Sequence, residues 1–327
     1  MHRVALRFLT LSFLISLGLC TLLAPQEKVE RLLHDRRLLD AQQHGFLNVT
    51  LSHAGLEAYT TLQQEDAVVS ACVIVRDQKT ELLDWIAHHQ KLGIKKFYVH
   101  DDYSTQPVLE ALLENVALGV VHYQYWASQD TSGHGRQMQT YEQCLNLHGH
   151  KHKWMAFFDA DEFLVIKDRK YHNDLPIFLE DYEQYGALVV NWRMYGGSNH
   201  LRPPRAGESA LRYFTKCTDE TYHGNVHVKS IVQPRYTEGS KGDPHSFRYV
   251  ADRYAVASNL DKVDGPWHEP PIMDRIVLNH YFSKTWTEVL GKIRRGSGDG
   301  GRKDWPAMVE FETSAVHVCE PAVIKDA

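Results

Sequence analysis

Trp154–Val165 reads WMAFFDADEFLV, and the fold turns on it. An apolar run stops at Asp159, Asp161 and Glu162, then apolar residues resume. Strands covered on both faces read as near-continuous apolar segments, so Trp154–Phe158 is expected to be a buried strand. Side chains alternate along a strand, which would send Asp159 and Asp161 to one side and Glu162 to the other. In an open parallel sheet, ligands lie beyond the carboxyl ends of the strands. Two carboxylates there form a hard-oxygen pair suited to Mg²⁺ or Mn²⁺. Glu162 then reads as a supporting or helix-capping residue, not a ligand. The competing reading is a solvated strand end with ordinary acidic turn residues.

Upstream, Val68–Val75 (VVSACVIV) is a second buried strand by its β-branched content. Glu81–Leu92 follows the helical period, with Thr80 as its cap and Gly93 ending it. Ile94–His100 is the next strand. This β-α-β opening implies a parallel pair with a right-handed crossover. Asp101 and Asp102 stand at the carboxyl end of that strand. One is expected to cap the next helix and the other to hydrogen-bond a uracil or ribose. Pro107–Asn115 reads as a helix, Val120–Tyr125 as a strand and Ser128–Gly135 as a polar loop. Arg136–Leu147 is a helix whose opening residues, Arg136 and Gln137, are phosphate candidates. Arg76, in the turn after the first strand, joins the nucleotide-sugar-binding candidates. Alternating strands and helices indicate an α/β, doubly wound, Rossmann-like sheet.

Beyond Ile166 the alternation is lost. Leu175–Tyr185 reads as a helix, Ala187–Trp192 as a strand, and Tyr195–Asn199 as a flexible loop. His227–Gln233 and Phe247–Val250 read as strands, and Trp286–Arg294 as a helix before the Gly-rich Gly296–Gly301 stretch. The expected organisation is one catalytic domain over residues 68–303, with a C-terminal tail over 304–327. No internal repeat is visible.

Residues 1–25 read as a membrane segment: Arg3 and Arg7 precede an uncharged apolar run from Phe8 to Ala24. Its length favours an uncleaved signal-anchor over a cleavable signal peptide. Positive charge ahead of the run keeps the amino end cytosolic and sends the body into the secretory lumen. Residues 26–67 then form a stem, with Asn48-Val49-Thr50 as a glycosylation acceptor. A formal net charge of −5 gives no case for a nucleic-acid partner. The five cysteines include no Cys-x-x-Cys pair. Cys72 and Cys144 sit in apolar patterns that fit either a disulfide or buried thiols.

An acidic strand end on a doubly wound half suits a nucleotide-sugar transferase. A metal on Asp159 and Asp161 would stabilise charge on the departing nucleoside diphosphate. A dehydrogenase needs a Gly-rich turn after the first strand, and Arg76-Asp77-Gln78-Lys79 has no glycine. Two carboxylates also serve glycosidases, which the β-α-β opening fits less well. His280, in Asn279-His280-Tyr281-Phe282, is either a further metal ligand or a structural histidine. Arg294 and Arg295 are either a basic lid over the diphosphate or a solvated helix end.

These motifs together resemble glycosyltransferase family 92, within the wider GT-A nucleotide-sugar transferase fold. The matching stretches are ELLDWIAHHQKLG from Glu81, FYVHDDYS from Phe97, WMAFFDADEF from Trp154, NWRMYGGS from Asn191, VKSIV from Val228, and NHYFSKT from Asn279, with Arg295-Gly296. The resemblance implies a metal-dependent, inverting transferase on a type II Golgi membrane protein. It implies Mn²⁺ at Asp159 and Asp161 with His280 as third ligand, a UDP-sugar donor, most readily UDP-galactose, and a glycan acceptor. Another UDP-sugar, or a carbohydrate-binding protein without turnover, remain the alternatives. Arg76-Asp77-Gln78 departs from the family's usual Asn-Glu pair. Inversion also requires a carboxylate base, and Asp219 is the candidate between the aspartate motif and the late histidine.

Overall fold

The computed structural model describes residues 67–127, 135–205, 210–295, 304–322 and 324. The expected membrane segment, nearly all of the stem and the Gly296–Gly301 stretch lie outside them. The chain divides into two compact units. One comprises Asp66–Val108 with Val121–Ala327 and carries the sheet; the other is Met1–Glu65 with Leu109–Val120. Within the latter, the described part is the helix α2 (Leu109–Ala117).

In the larger unit the first half alternates as expected. It runs β1 (Val69–Val75), α1 (Lys79–Lys91), β2 (Lys96–Asp102), β3 (Val121–Trp126), α3 (Gly135–His148) and β4 (Trp154–Phe157). The second half is mostly strand: β5 (Glu162–Ile166), α4 (Leu175–Glu180), β6 (Ala187–Tyr195), α5 (Ala210–Tyr213), β7 (Lys216–Cys217) and β8 (Val228–Val232). It continues with β9 (Thr237–Ser240), β10 (Phe247–Tyr249), β11 (Ala255–Val256), β12 (Lys262–Val263) and β13 (Ile276–Tyr281). Last come α6 (Trp286–Arg295), α7 (Trp305–Ser314) and β14 (His317–Val318).

A twelve-stranded sheet has the main path β12-β11-β6-β8-β4-β1-β2-β3, so the α/β class with a mixed sheet holds. β3, β2, β1 and β4 are mutually parallel. The chain therefore leaves β1 to one side for β2 and β3, and returns to the other side at β4. That reversal opens a crevice at the carboxyl rim, where ligands sit in such sheets. β8 lies antiparallel between β4 and β6. The long strand β6 serves two neighbours in turn: Ala187–Asn191 pair with β8, and Trp192–Tyr195 with β13.

β13 is inserted between β6 and β5, running antiparallel to β5 with His280 opposite Glu162. This pairing carries a residue more than a hundred positions downstream to the Asp159–Asp161 turn. Among the described residues the other edge of β5 has no strand partner, and α1 supplies side chains instead. Trp85 Nε1 donates to the Glu162 carbonyl (2.8 Å), His88 Nε2 donates to the Leu164 carbonyl (2.7 Å), and the Leu164 amide donates to His89 Nε2 (3.3 Å). Buried backbone groups must be paired, and here three rings replace a ladder. Trp85 and His89 lie one turn apart, and His88 beside them, so one helix face meets successive groups of one strand edge.

The core lies against the sheet, with Tyr141, Phe157 and Phe247 packed ring to ring. Each such side chain removed from water contributes about 1.5–3 kcal/mol. Cys72 is joined to Cys144, tying β1 to α3, and Cys217 to Cys319. The residues expected to form a tail are instead folded: α7 is helical and β14 pairs with β7. The Tyr195–Asn199 loop, expected to be flexible, is pinned. The Gly197 amide donates to Glu312 Oε1 at 2.8 Å, and a Cβ on Gly197 would meet the Lys284 carbonyl oxygen at 1.9 Å.

Candidate active site

Asp159, Ala160 and Asp161 lie in a turn between β4 and β5, not within the strand. The strand ends at Phe157 because the chain must reverse at once into β5, and the Glu162 amide closes the turn on the Asp159 carbonyl at 3.0 Å. The expected side-by-side projection of the two aspartates is corrected accordingly. They face different neighbours.

Asp159 keeps 34% of its side chain exposed and turns toward Gln137 of α3 and Lys229 of β8. Its Oδ1 accepts from Gln137 Nε2 at 2.9 Å and its Oδ2 from Lys229 Nζ at 2.9 Å. Glu162 Oε2 accepts from the Asp159 amide at 2.8 Å, and its Oε1 lies 3.9 Å from Lys229 Nζ. Glu162 is thus a brace for the turn and caps no helix. The Lys229 and Glu162 side chains are fully buried. Burial opposes the charge on Lys229, but Asp159 and Glu162 outweigh it and raise its affinity for the proton. Burial pushes the Glu162 carboxyl well above its ordinary range, with Lys229 opposing.

Asp161 faces the rim. Its Oδ2 accepts from Lys292 Nζ at 2.9 Å, and its Oδ1 lies 3.7 Å from His280 Nε2. Lys292 also donates to the Phe282 carbonyl. Burial works against ionisation of Asp161, yet Lys292, then His280 and Lys284, hold its carboxyl well below the usual range. Lys284 pairs with Glu81 at 2.8 Å. Both lysines line a cavity of about 120 Å³ with Asp77, Gln78, Glu81 and Glu288.

Asp101 and Asp102 have different surroundings. Asp101 is fully buried and caps its own loop, accepting from the Ser104 amide (3.0 Å), the Val108 amide (2.8 Å) and the Tyr123 hydroxyl (3.0 Å). Those bonds close it to a nucleotide. Asp102 meets both candidate arginines: Arg76 at 2.6 Å and Arg136 at 3.5 Å. Arg136 also lies 4.3 Å over the Trp126 ring. Gln137 holds Asp159, so it serves the motif and not a phosphate. Asp219 belongs to neither group. It is exposed, and its Oδ1 accepts from the Thr221 amide (2.9 Å) and hydroxyl (2.6 Å), bonds that lower its proton affinity. Its Oδ2 lies 4.0 Å from His317 Nε2 of β14, and the structure does not bring it among the side chains that hold Asp161. The Arg295 side chain lies outside the described residues.

Sequence reasoning missed Lys229, Lys284 and Lys292. Lys229 had a signal: a lone lysine inside the apolar run Val228–Val232. The other two carry none.

A divalent cation fits Asp161 and His280. Ligands about 2.0–2.6 Å from one ion can stand 3.7 Å apart, as these do. An imidazole beside carboxylate suits Mn²⁺ better than Mg²⁺. Asp159 keeps lone pairs on both oxygens for a shared contact. The three do not converge as tightly as expected, however. Among the described residues, the group whose three ligand atoms lie within 4.8 Å of one another is Cys72, His100 and Cys144, two of which form the disulfide.

The family model for glycosyltransferase family 92 matches residues 66–241, more than half of the chain. The chain belongs to glycosyltransferase family 92. A family 92 protein of Arabidopsis thaliana is 22% identical over 237 residues, covering 68% of this chain and 36% of that protein. The galactan beta-1,4-galactosyltransferase GALS2 of the same plant is 29% identical over 107 residues, covering 31% of this chain and 21% of that protein. The chain thus spans about a third or less of the curated relatives it matches. S. aureus TarS in complex with UDP-GlcNAc superposes with a TM-score of 0.32 at 14% identity, covering 63% of this chain and 61% of that one. A superposition that loose adds nothing to the topology described above. The family match stops before His280, Lys284 and Lys292.

Proposed function

We propose that this chain transfers galactose from UDP-galactose to a glycan acceptor, by a single inverting displacement supported by Mn²⁺, in which UDP leaves as a carboxylate base takes the acceptor hydroxyl's proton. The observation that carries this reading is the Asp161 carboxylate, held at the carboxyl rim between His280 and Lys292. Asp161 and His280 hold the cation, with Asp159 beside them. When bound, Mn²⁺ supplies a Lewis acid for the charge that develops on the leaving diphosphate. Lys292 and Lys284 bring fixed positive charge to the neighbouring cavity, where a diphosphate needs it. Asp102, oriented by Arg76 and Arg136, presents a carboxylate at the end of β2 for the ribose or uracil. Galactose is favoured by the likeness to a galactan galactosyltransferase, and inversion by the family resemblance. The arginine-flanked run from Phe8 to Ala24 supports a Golgi membrane anchor with the body in the lumen.

The test is UDP release with Mn²⁺ across UDP-galactose, UDP-glucose, UDP-xylose and UDP-N-acetylglucosamine. Release should be fastest with UDP-galactose and vanish in Asp161→Ala. No release with any donor would sink the enzyme reading, and a faster rate with another sugar would sink galactose.

A further inference from the structure

Trp267 leaves 60% of its surface exposed, yet its loop is held fast. Asn191, buried in β6, donates to the carbonyls of Asn225, Val226 and His268 (3.1 Å each) and accepts from the Ile272 amide (3.1 Å). One side chain therefore locks the segment before β8 to the loop that carries Trp267. The backbones also meet directly. The Val228 amide donates to the Pro266 carbonyl (3.1 Å), and the His268 amide to the Val226 carbonyl (2.8 Å). An exposed apolar side chain alone needs no explanation. A rigidly clamped tryptophan beside a catalytic rim is a different matter.

From Trp267 the rings run inward. Its edge meets His227 at 6.1 Å, His227 stacks on Trp192 at 4.9 Å, and Trp192 meets His280 edge-on at 4.4 Å. The path ends on the histidine beside Asp161. A branch leads the other way. His245 packs against Trp192 (5.3 Å) and His227 (5.6 Å), and the next residues, Ser246 and Phe247, line a cavity of about 380 Å³. Asp264 and Gly265, from the Trp267 loop, line it too. Its volume falls within the roughly 300–1,000 Å³ of small-molecule sites. Lys241, Arg248, Arg253 and Lys262 line it beside two carboxylates, Glu238 and Asp264. Lys241 pairs with Asp264, and Arg253 donates to the Glu183 carbonyl at 3.1 Å. Such a lining is rich in hydrogen-bond donors for hydroxyl oxygens.

We propose that these features form an extended acceptor groove, in which a galactosyl chain crosses Trp267 and enters this cavity while its growing end reaches Asp161 and His280. This rests on the acceptor reading above. The negative face of an indole complements the C–H face of a pyranose, and sugar hydroxyls pair with the polar groups inside.

β-1,4-linked galactose oligomers of increasing length are the probe, with UDP-galactose and Mn²⁺. In the wild-type protein KM should fall as the oligomer lengthens. In Trp267→Ala the KM of long oligomers should rise about tenfold, toward that of the dimer, with the effect in KM and not in kcat. Trp267→Phe should restore part of it. A length dependence that survives in Trp267→Ala overturns the groove. Calorimetric titration of the long oligomer into UDP-loaded protein gives a second readout: weaker binding in Trp267→Ala supports the groove, and equal binding, or none by either protein, overturns it. Acceptor-free UDP release from UDP-galactose by the wild-type protein tests the donor reading separately.

Discussion

Asp159 and Asp161 are separated by one alanine, yet they belong to two different chemistries. Asp159 is held by Gln137 and the fully buried Lys229, with Glu162 beneath it. All of these fall within the family-matched residues. Asp161 is held by His280 and Lys292, which come from later in the chain, and Lys292 lines a cavity. Each aspartate has a lysine at 2.9 Å. The two lysines differ in their surroundings: Lys229 is wholly enclosed, whereas Lys292 reaches the cavity. A buried pair cannot open without exposing a charge to a low dielectric. A pair at a cavity can exchange partners with an incoming ligand.

The largest expected effect follows from breaking the brace. Lys229→Met leaves Asp159 without its cation inside the fold. Removing one partner of a buried pair costs about 3–5 kcal/mol. Chemical denaturation should show a loss of that size, and the melting temperature should fall by on the order of 10 °C. Adding Glu162→Gln should recover little, because the stranded charge is on Asp159. A Lys229→Met protein as stable as wild type would dissolve the distinction between the two lysines.

How much of this was legible beforehand differs between the two sides. The parallel half could be read in order because each buried strand and helix has its own period, and β1 to β4 fall within a residue or two of expectation. The acidic ends of β2 and β4 followed from that half alone. β5, β7 and β11 to β14 were missed, or found only in part, because strands of two to six residues carry too few positions for a pattern to declare itself. His280 was suspected through resemblance; only the β5–β13 register explains how it reaches the turn. The Trp85–His89 stretch was noticed as a motif, but its role lies in a partnerless strand edge that no periodicity reveals. Lys284 and Lys292 look like ordinary helix-end cations until the tertiary fold turns them toward Asp161.

That strand edge carries the next effect. β5 begins at Glu162, directly after both aspartates, so whatever loosens its outer edge loosens the whole turn. Burial, with Lys91 adding to it, pushes the His88 imidazole down to about 4, and burial with neighbouring His88 lowers His89 as well. His89 must stay neutral for its Nε2 to accept from the Leu164 amide, whereas His88 can donate in either form and is kept neutral by burial. A histidine with a depressed folded value contributes its full stability above its unfolded value of about 6.5, and loses it as pH falls toward 4. The linkage amounts to at most about 3 kcal/mol for His88 over that window. His88→Gln should flatten the stability–pH curve between pH 6.5 and 4, read by urea denaturation at successive pH values. Asp161 cannot account for the same slope, since its carboxyl is held below the usual range and stays ionised throughout. A curve as steep in His88→Gln as in wild type would move the acid-labile group elsewhere.

The sharpest effect on function is expected from Lys292→Met. Lys292 lines a cavity, but its side chain and that of Asp161 are only 12% and 9% exposed, so its removal should also cost stability, by up to about 3 kcal/mol with His280 left beside Asp161. Its positive charge is the part a diphosphate would use. Loss of one charge-assisted contact weakens binding by about tenfold or more, so UDP affinity measured by calorimetry should fall by at least that much. Mn²⁺ affinity without nucleotide should move the opposite way, because the Asp161 carboxylate no longer has an ammonium to exchange for the ion. These opposed signs separate a working lysine from a brace. A brace would lose stability first and ligand affinity only as a consequence, with both ligands affected alike. If Lys292→Met weakens Mn²⁺ and UDP together, the two aspartates are braced in the same way and Asp161 loses its claim to the chemistry.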